Sequence, residues 1–162
     1  ELLRRYPDVR LYLGGIWEDV KLREQMLSLG DCVTELGWVG GDVKQKYLRE
    51  CDIFVMPSYF GGQSVSILEA MAYNCGIVAS DTGGIPDMIE DEKTGLLVRP
   101  RDEKALEKGI LRLLDDPGLC RMLGENARQK AEAEFSMEYH IERLLEIYEA
   151  VGGAGNGGRT GS

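Results

Sequence analysis

The sequence predicts an α/β domain built on a doubly wound parallel sheet, with a helical carboxyl-terminal segment. Short apolar and β-branched runs alternate with segments of helical periodicity, and each run ends at a cluster of glycine, proline, serine or aspartate. Strands that alternate with helices are joined by right-handed crossovers, which cover both faces of a parallel sheet. A chain of 162 residues can bury a core of its own, so we expect a single domain.

The apolar runs predict five strands, at residues 9–13, 33–36, 53–56, 76–79 and 95–98. Helical periods predict four helices between them, at residues 19–29, 42–50, 65–74 and 85–89. After Val98 the apolar residues recur only at helical spacing, which predicts three closing helices. Pro117 and Ser136 suit the starts of the second and third of these, as a first-turn proline and a side-chain cap.

The carboxyl end has a different composition. Residues 152–162 hold six of the 21 glycines, which predicts a flexible linker or an expression remnant. We therefore place the folded domain at residues 1–151.

Charge and cysteine usage exclude several classes of protein. The chain has 19 Lys and Arg against 28 Asp and Glu, a net charge of −9, which argues against a broad basic face for nucleic acid or an anionic membrane. No apolar run approaches the ~20 residues of a membrane span. The cysteines form neither a CxxC pair nor a Cys/His pattern, so we expect core thiols, no metal site and a reducing, cytoplasmic compartment. They are Cys32, Cys51, Cys75 and Cys120.

Ligands of open parallel sheets bind outside the carboxyl ends of the strands, and three of the predicted loops there are rich in glycine. These loops lie at residues 14–15, 37–41 and 57–66. No GxGxxG follows a strand, and no GxxxxGKS/T is present. A dinucleotide-dependent dehydrogenase and a P-loop NTPase are therefore disfavoured.

The loop at residues 58–66 is the most informative of the three. It combines a strand end, the flexible pair Gly61 and Gly62, and a helix start whose first N–H groups attract phosphate. Glu69 stands one turn into that helix, and its carboxylate points back toward the helix start, where it suits two ribose hydroxyls. Ser66 and Glu69 also have the spacing of a capping box, in which Glu69 only closes the helix onto the backbone. Spacing alone leaves both interpretations open.

Other residues near the strand ends have weaker signals. Trp38 and Tyr59 have the chemistry to stack on a base, but packing is the commoner role of such rings and is our expectation. Arg99 and Arg101 flank Pro100 and are expected to be solvated. The single histidine, His140, is expected at the surface without a catalytic role.

Four segments together resemble the donor-binding half of family 4 retaining glycosyltransferases of the GT-B architecture. They are residues 52–58, 62–72, 77–87 and 94–98, which read DIFVMPS, GQSVSILEAMA, IVASDTGGIPD and TGLLV. Their order and spacing match the family pattern, and the similarity extends from the first strand to the last helix.

The resemblance implies a site and a substrate. Glu69 would bind the ribose, backbone N–H groups around Val65 and Ser66 would hold the diphosphate, and the chain near Val39 would line the base. The nucleotide-sugar-binding residues that it implies are Glu69, Ser66, Val65, Ser64, Gln63, Gly62 and Val39. A nucleoside-diphosphate sugar would be the substrate, with no cofactor, no metal and no nucleic-acid partner, and residues 1–151 would form a Rossmann-like donor-binding domain.

The sequence departs from the family pattern at one site position. The family has two glutamates separated by seven residues, and Gly61 stands where the first, which is associated with the transferred sugar, is expected. We therefore assign no catalytic residue.

A second departure concerns the start of the chain. The family's first strand and its clamp Arg and Lys are expected to precede Glu1, as is the amino-terminal acceptor domain. That strand would lie between those at residues 11–13 and 53–56, and its absence would leave a gap in the sheet. Either these two strands pair directly, or a second copy of the chain fills the gap in a swapped or edge-joined homodimer. We favour the homodimer. The apolar stripe of the last helix would also lack its partner; it comprises Ile141, Leu144, Leu145 and Tyr148.

We expect the donor-binding half of a retaining glycosyltransferase, which moves a sugar from a nucleoside diphosphate to an acceptor by stabilising the leaving diphosphate. The isolated chain is not expected to turn over. One alternative is a non-catalytic nucleotide-binding or scaffold fragment, which Gly61 favours. Another is part of a nucleotide-sugar epimerase, which the signature at residues 62–69 disfavours.

Overall fold

The structure is a computed structural model that describes residues 2–17, 19–60 and 62–153, with side chains up to Glu149. Gly61 and residues 154–162, which include most of the predicted tail, lie outside the described residues. The chain divides into two compact units, residues 1–51 and 52–162. Each unit contains a parallel sheet of its own.

The first unit is a two-stranded parallel sheet with three helices. Its elements are α1 (Leu2–Arg5), β1 (Leu11–Gly14), α2 (Val20–Leu27), β2 (Val33–Gly37) and α3 (Gly41–Arg49). Residues Leu11 and Val33 are in register, and the register shifts between Leu13 and Gly14. The parallel pairing follows from the crossover helix α2, which returns the chain to the same end of the sheet.

Polar contacts fix α2 in the first unit. The carboxylate of Asp19 caps the helix, accepting hydrogen bonds from the N–H groups of Lys21 at 2.8 Å and Leu22 at 3.1 Å. Arg23 then reaches β2, where its Nη2 lies 2.6 Å from Oε2 of Glu35. The hydrogen bond from Arg23 holds the pKa of Glu35 below its usual range.

The second unit is a three-stranded parallel sheet covered by helices. Its elements are β3 (Ile53–Met56), α4 (Val65–Ala72), β4 (Gly76–Ser80), α5 (Ile85–Met88), β5 (Leu96–Val98), α6 (Glu103–Asp115), α7 (Pro117–Glu134) and α8 (Met137–Gly153). The strand order is β3-β4-β5, so β4 is central. All five residues of β4 are buried, which explains why this strand is an unbroken apolar run instead of an alternating one.

The core of the second unit surrounds β4. One cluster joins the central strand to β5, α6 and α7 through Val78, Leu96, Leu113, Cys120 and Leu123. On α4, Ile67, Ala70 and Met71 are also buried. Full burial of one large aliphatic side chain contributes about 1.5–3 kcal/mol, so this cluster is a major source of stability.

The predicted fold class is confirmed, and all five predicted strands are present. The first strand begins at Leu11, two residues later than predicted, because residues 9 and 10 lead into the ladder without joining it. Core positions were expected for the three cysteines next to predicted strands, and of these Cys75 is buried whereas Cys32 and Cys51 are only half-buried. Cys120 is also buried, and all four are free thiols. No helix among the described residues combines the length and apolar character that a membrane span requires.

Gly124 allows α7 to approach the end of α4 closely. A Cβ built on Gly124 would overlap the carbonyl oxygen of Asn74 and lie 2.8 Å from its carbonyl carbon. Asn74 has a left-handed backbone with φ of 58°, so the chain turns sharply at the point of contact. The packing of α7 on this turn therefore requires glycine.

We expect Gly124→Ala to lower the free energy of unfolding by about 2 kcal/mol or more, because the new methyl group meets backbone atoms that cannot rotate away. Gly109→Ala is a matched control on α6. Both variants gain about 1 kcal/mol of helix propensity, but the Cβ of the control would lie 3.0 Å from a methyl group of Val78. Urea unfolding should show a clearly smaller loss for the control; equal losses would contradict the close approach at Gly124.

Candidate functional site

Three loops of the second unit follow the carboxyl ends of parallel strands and therefore lie at one edge of its sheet. Residues 57–64 follow β3, residues 81–84 follow β4 and residues 99–102 follow β5. Six of the seven predicted site residues lie in the first loop or in the first turns of α4, which comes after it. The seventh, Val39, lies in the first unit after β2, with its Cγ2 atom 3.0 Å from the position of a Cβ on Gly14.

The start of α4 presents its backbone N–H groups at this edge. Ser64 is the N-cap, with an extended backbone at φ −99° and ψ 115°, and it forms no side-chain capping bond. The first ladder bonds run from the N–H groups of Ile67, at 3.0 Å, and Leu68, at 3.3 Å, to the carbonyl of Ser64. The N–H groups of Val65 and Ser66 precede this ladder, at the positive end of the helix dipole. Val65 is 69% exposed, so a ligand from solvent can reach this end of the helix.

Glu69 follows one turn later and does not close a capping box. A capping box requires serine at the N-cap and glutamate at the third helical position. Because Ser64 is the N-cap, Ser66 and Glu69 are the second and fifth helical residues, and the capping-box interpretation is wrong for this helix. Glu69 is half-buried, and its Oε2 atom is fully buried. One carboxylate oxygen of Glu69 is thus shielded from solvent, about one turn into the helix.

The loop after β4 touches the loop after β3. A Cβ built on Gly84 would lie 2.8 Å from the backbone nitrogen of Gln63 and 3.2 Å from the carbonyl carbon of Gly62. The two glycine-rich loops therefore pack backbone against backbone. No local feature of the sequence indicates which segment lies against Gly83 and Gly84.

The loop after β5 contributes a cation. The guanidinium carbon of Arg101 lies 5.1 Å from the centroid of the Tyr59 ring, a cation–π contact that joins this loop to the loop after β3. Arg101 has a left-handed backbone with φ of 65°. Arg101 was expected only to be solvated, and this contact was not predicted, since residues 42 positions apart along the chain carry no local signal.

The two aromatic candidates are both exposed. Tyr59 is 61% exposed and Trp38 is 82% exposed. The expectation that they pack is therefore wrong for Trp38 and holds for Tyr59 only in its contact with Arg101.

The carboxylates with shifted pKa values in the second unit lie at the opposite edge of its sheet, on the turn before β5. Hydrogen bonds from Lys130 and Lys93 lower the pKa of Glu90, and a bidentate contact from Arg112 lowers the pKa of Glu92. These pairs tie the turn to α6 and α7. Among the described residues, no group of His, Cys, Asp and Glu side chains is arranged to hold a metal ion.

The second unit is an α/β domain with an open parallel sheet, whose carboxyl edge presents a helix start and glycine-rich loops. In this class of domain, ligands bind at that edge. Comparison with known proteins then gives the family. The family described as "Glycosyl transferases group 1" matches residues 1–116, and the chain belongs to it.

Curated relatives support this assignment. The alpha-maltose-1-phosphate synthase of Mycolicibacterium smegmatis is 34% identical over 160 residues, which cover 90% of this chain and 41% of the relative. The alpha-D-kanosaminyltransferase of Streptomyces kanamyceticus is 30% identical over 155 residues, which cover 94% of this chain and 40% of the relative. The chain thus spans about 40% of the length of these curated relatives.

Solved structures share the fold. Sucrose-phosphate synthase from Thermosynechococcus elongatus superposes with a TM-score of 0.81 at 30% identity, covering 94% of this chain and 41% of that one. HepE from Anabaena, in complex with UDP, superposes with a TM-score of 0.80 over 89% of this chain and 42% of that one. At 22% identity the second likeness concerns the fold alone.

The contact between Arg101 and Tyr59 can be tested with two substitutions at one position. Arg101→Ala and Arg101→Gly both remove the guanidinium, whose exposed cation–π contact contributes about 0.5–1 kcal/mol. Only glycine also relieves the left-handed backbone, so we expect Arg101→Gly to be more stable than Arg101→Ala by about 1 kcal/mol in urea unfolding. Arg99→Ala, at an exposed neighbour, should change stability by less than about 0.5 kcal/mol. Equal stability of the two Arg101 variants would argue against the strained backbone.

Proposed function

We propose that this chain is the donor-binding half of a retaining glycosyltransferase. It would bind a nucleoside-diphosphate sugar, whose sugar passes to an acceptor held by an amino-terminal domain. Family membership supports the transferase class over an epimerase. The observation that carries the proposal is the accessible start of α4, with the carboxylate of Glu69 one turn behind it.

The proposed roles follow from chemistry. The backbone N–H groups of Gly62 to Ser66 hold the diphosphate, because helix-start donors and the dipole both favour negative charge. Glu69 accepts hydrogen bonds from the ribose hydroxyls. Val39 keeps its proposed role beside the base, and residues 1–151 form the Rossmann-like donor-binding domain. We place the reaction in the cytoplasm on the basis of the four free thiols.

A second candidate is a non-catalytic nucleotide-binding fragment. Gly61 favours it, because glycine offers no carboxylate to the transferred sugar where the family pattern has glutamate. Under both candidates the nucleoside diphosphate binds; only the first predicts turnover once the acceptor domain is present. A thermal-shift panel of UDP, GDP, ADP and their sugar conjugates tests binding, since a ligand at ~100 times its dissociation constant adds about 2.7 kcal/mol to stability.

Glu69→Ala separates ribose recognition from phosphate recognition. We expect it to weaken the binding of the preferred nucleoside diphosphate by about tenfold or more, since hydrogen bonds to a charged group contribute about 1.5–3 kcal/mol. Inorganic pyrophosphate, which has no ribose, should bind with nearly unchanged affinity.

Calorimetry with both ligands provides the measurement for Glu69→Ala. Glu125→Ala, which removes an exposed carboxylate from α7, serves as the matched control and should affect neither ligand. Equal losses for nucleotide and pyrophosphate would remove the ribose role from Glu69.

The partner of the isolated chain is proposed to be a second copy, in an edge-joined or swapped homodimer. In the described residues β1 has β2 as its one strand neighbour, and β3 has β4. Each strand therefore has a free edge in the described part of the chain, and such an edge is a template for pairing. The apolar stripe on α8 is exposed as well; it includes Ile141, Leu144, Leu145 and Tyr148.

Light scattering over a dilution series tests self-association. We expect the mass to fall from that of a dimer toward that of a monomer as the chain is diluted. Leu145→Glu identifies the surface: it should leave the dimer intact if strand edges form the interface, and should dissociate it if α8 does. A chain that folds cooperatively and stays monomeric at every concentration would reject the dimer.

A further inference from the structure

Gly84 lies where two backbone segments of the candidate site meet. A Cβ at this position would approach the backbone nitrogen of Gln63 to 2.8 Å, its Cγ to 3.0 Å and the carbonyl carbon of Gly62 to 3.2 Å. Two of these three atoms belong to the backbone, so a change of side-chain rotamer does not make room. Any residue other than glycine therefore forces one of the two segments to move.

The segment that contains Gly84 is firmly held. The N–H of Asp81 donates to the carbonyl of Val98 at 2.7 Å, and the N–H of Ile85 donates to the carbonyl of Thr82 at 3.2 Å. Ile85 itself is buried in the core. The loop after β4 is thus fixed to β5 on one side and to the core on the other, so it does not yield easily.

The segment opposite Gly84 is exposed and leads directly into α4. Gly62 and Gln63 are both exposed, and Gln63 directly precedes the N-cap Ser64. This turn, residues 62–64, is therefore the part that moves when the contact is crowded. Its movement carries the N–H groups at the start of α4 away from their native positions.

We propose that Gly84 is a positioning residue that sets the location of the turn at residues 62–64, and with it the phosphate-binding N–H groups at the start of α4, by allowing the backbone of Gln63 to rest on it. The identity of the ligand rests on the function proposed above, whereas the positioning of the turn does not. The requirement for glycine thus comes from the neighbouring backbone and is separate from the left-handed conformation of Gly83, whose φ is 59°.

Gly84→Ala and a matched control test the proposal. The control is Gly95→Ala, because a Cβ there would lie 3.0 Å from Cγ2 of Ile89 and 3.1 Å from the carbonyl oxygen of Ile77, a similar crowding at the opposite edge of the sheet. In the ligand-free chain we expect the amide resonances of Gln63 and Ser64 to shift in Gly84→Ala and to stay in place in Gly95→Ala.

Calorimetry under conditions where both variants are folded gives the second readout. Gly84→Ala should weaken UDP and inorganic pyrophosphate alike, by about tenfold or more, because the displaced groups are the donors to phosphate. Gly95→Ala should bind both like the unmodified chain. Unshifted amide resonances in Gly84→Ala, or unchanged affinity in a chain that binds UDP, would overturn the proposal.

Two further outcomes are distinguishable. If the unmodified chain binds neither ligand, the proposed function fails, and the amide resonances still decide whether Gly84 positions the turn. If Gly84→Ala does not fold, the double variant Gln63→Gly/Gly84→Ala takes its place, because it lacks the Cγ contact and has a looser turn. The amide resonance of Ser64 in this double variant is compared with that in Gln63→Gly alone. We expect the resonance to be displaced, and an unmoved resonance would overturn the proposal.

Discussion

The second unit depends on the burial of β4 between two parallel neighbours. All five of its residues are buried, so this strand has no solvent face and tolerates little shift of register. Parallel pairing with β3 and β5 then brings the loops that follow all three strands to one edge. The helix start at Ser64, the glycines at 83 and 84 and the cation at Arg101 are neighbours for this reason, although they lie far apart in the sequence.

Close approach through glycine recurs around this strand. Gly109 lets α6 lie against Val78, and Gly76 faces the thiol of Cys120 on α7. Gly84 applies the same principle at the carboxyl edge, where the neighbour is an exposed turn instead of a core side chain. Substitution in the core is therefore expected to cost stability, whereas substitution at the edge is expected to displace a turn. The same local constraint thus has different consequences, set by what lies opposite the missing Cβ.

Periodicity and turn residues predicted the order and type of the elements well, because these features are local. The runs at residues 53–56 and 76–79 are bounded by breakers, and the strands found there are Ile53–Met56 and Gly76–Ser80. The start of α4 was harder to locate, since Ser64 and Ser66 are both good N-caps and only the backbone angles distinguish them. The contacts of Gly84 with Gln63 and of Arg101 with Tyr59 join separate loops. No property of a single segment encodes such contacts, so the sequence could not predict them.

The distribution of charge explains why geometry matters so much at the carboxyl edge. The chain has a net charge of −9, and two ion pairs of the second unit, Arg112 with Glu92 and Lys130 with Glu90, are at the amino edge. The overall field therefore repels an anion, although salt screens it over about 8 Å at physiological ionic strength. A helix dipole acts only within about one turn. The phosphate binding proposed for this edge would then depend on short, directional N–H contacts together with the cation of Arg101, and such contacts weaken when the turn that carries them moves.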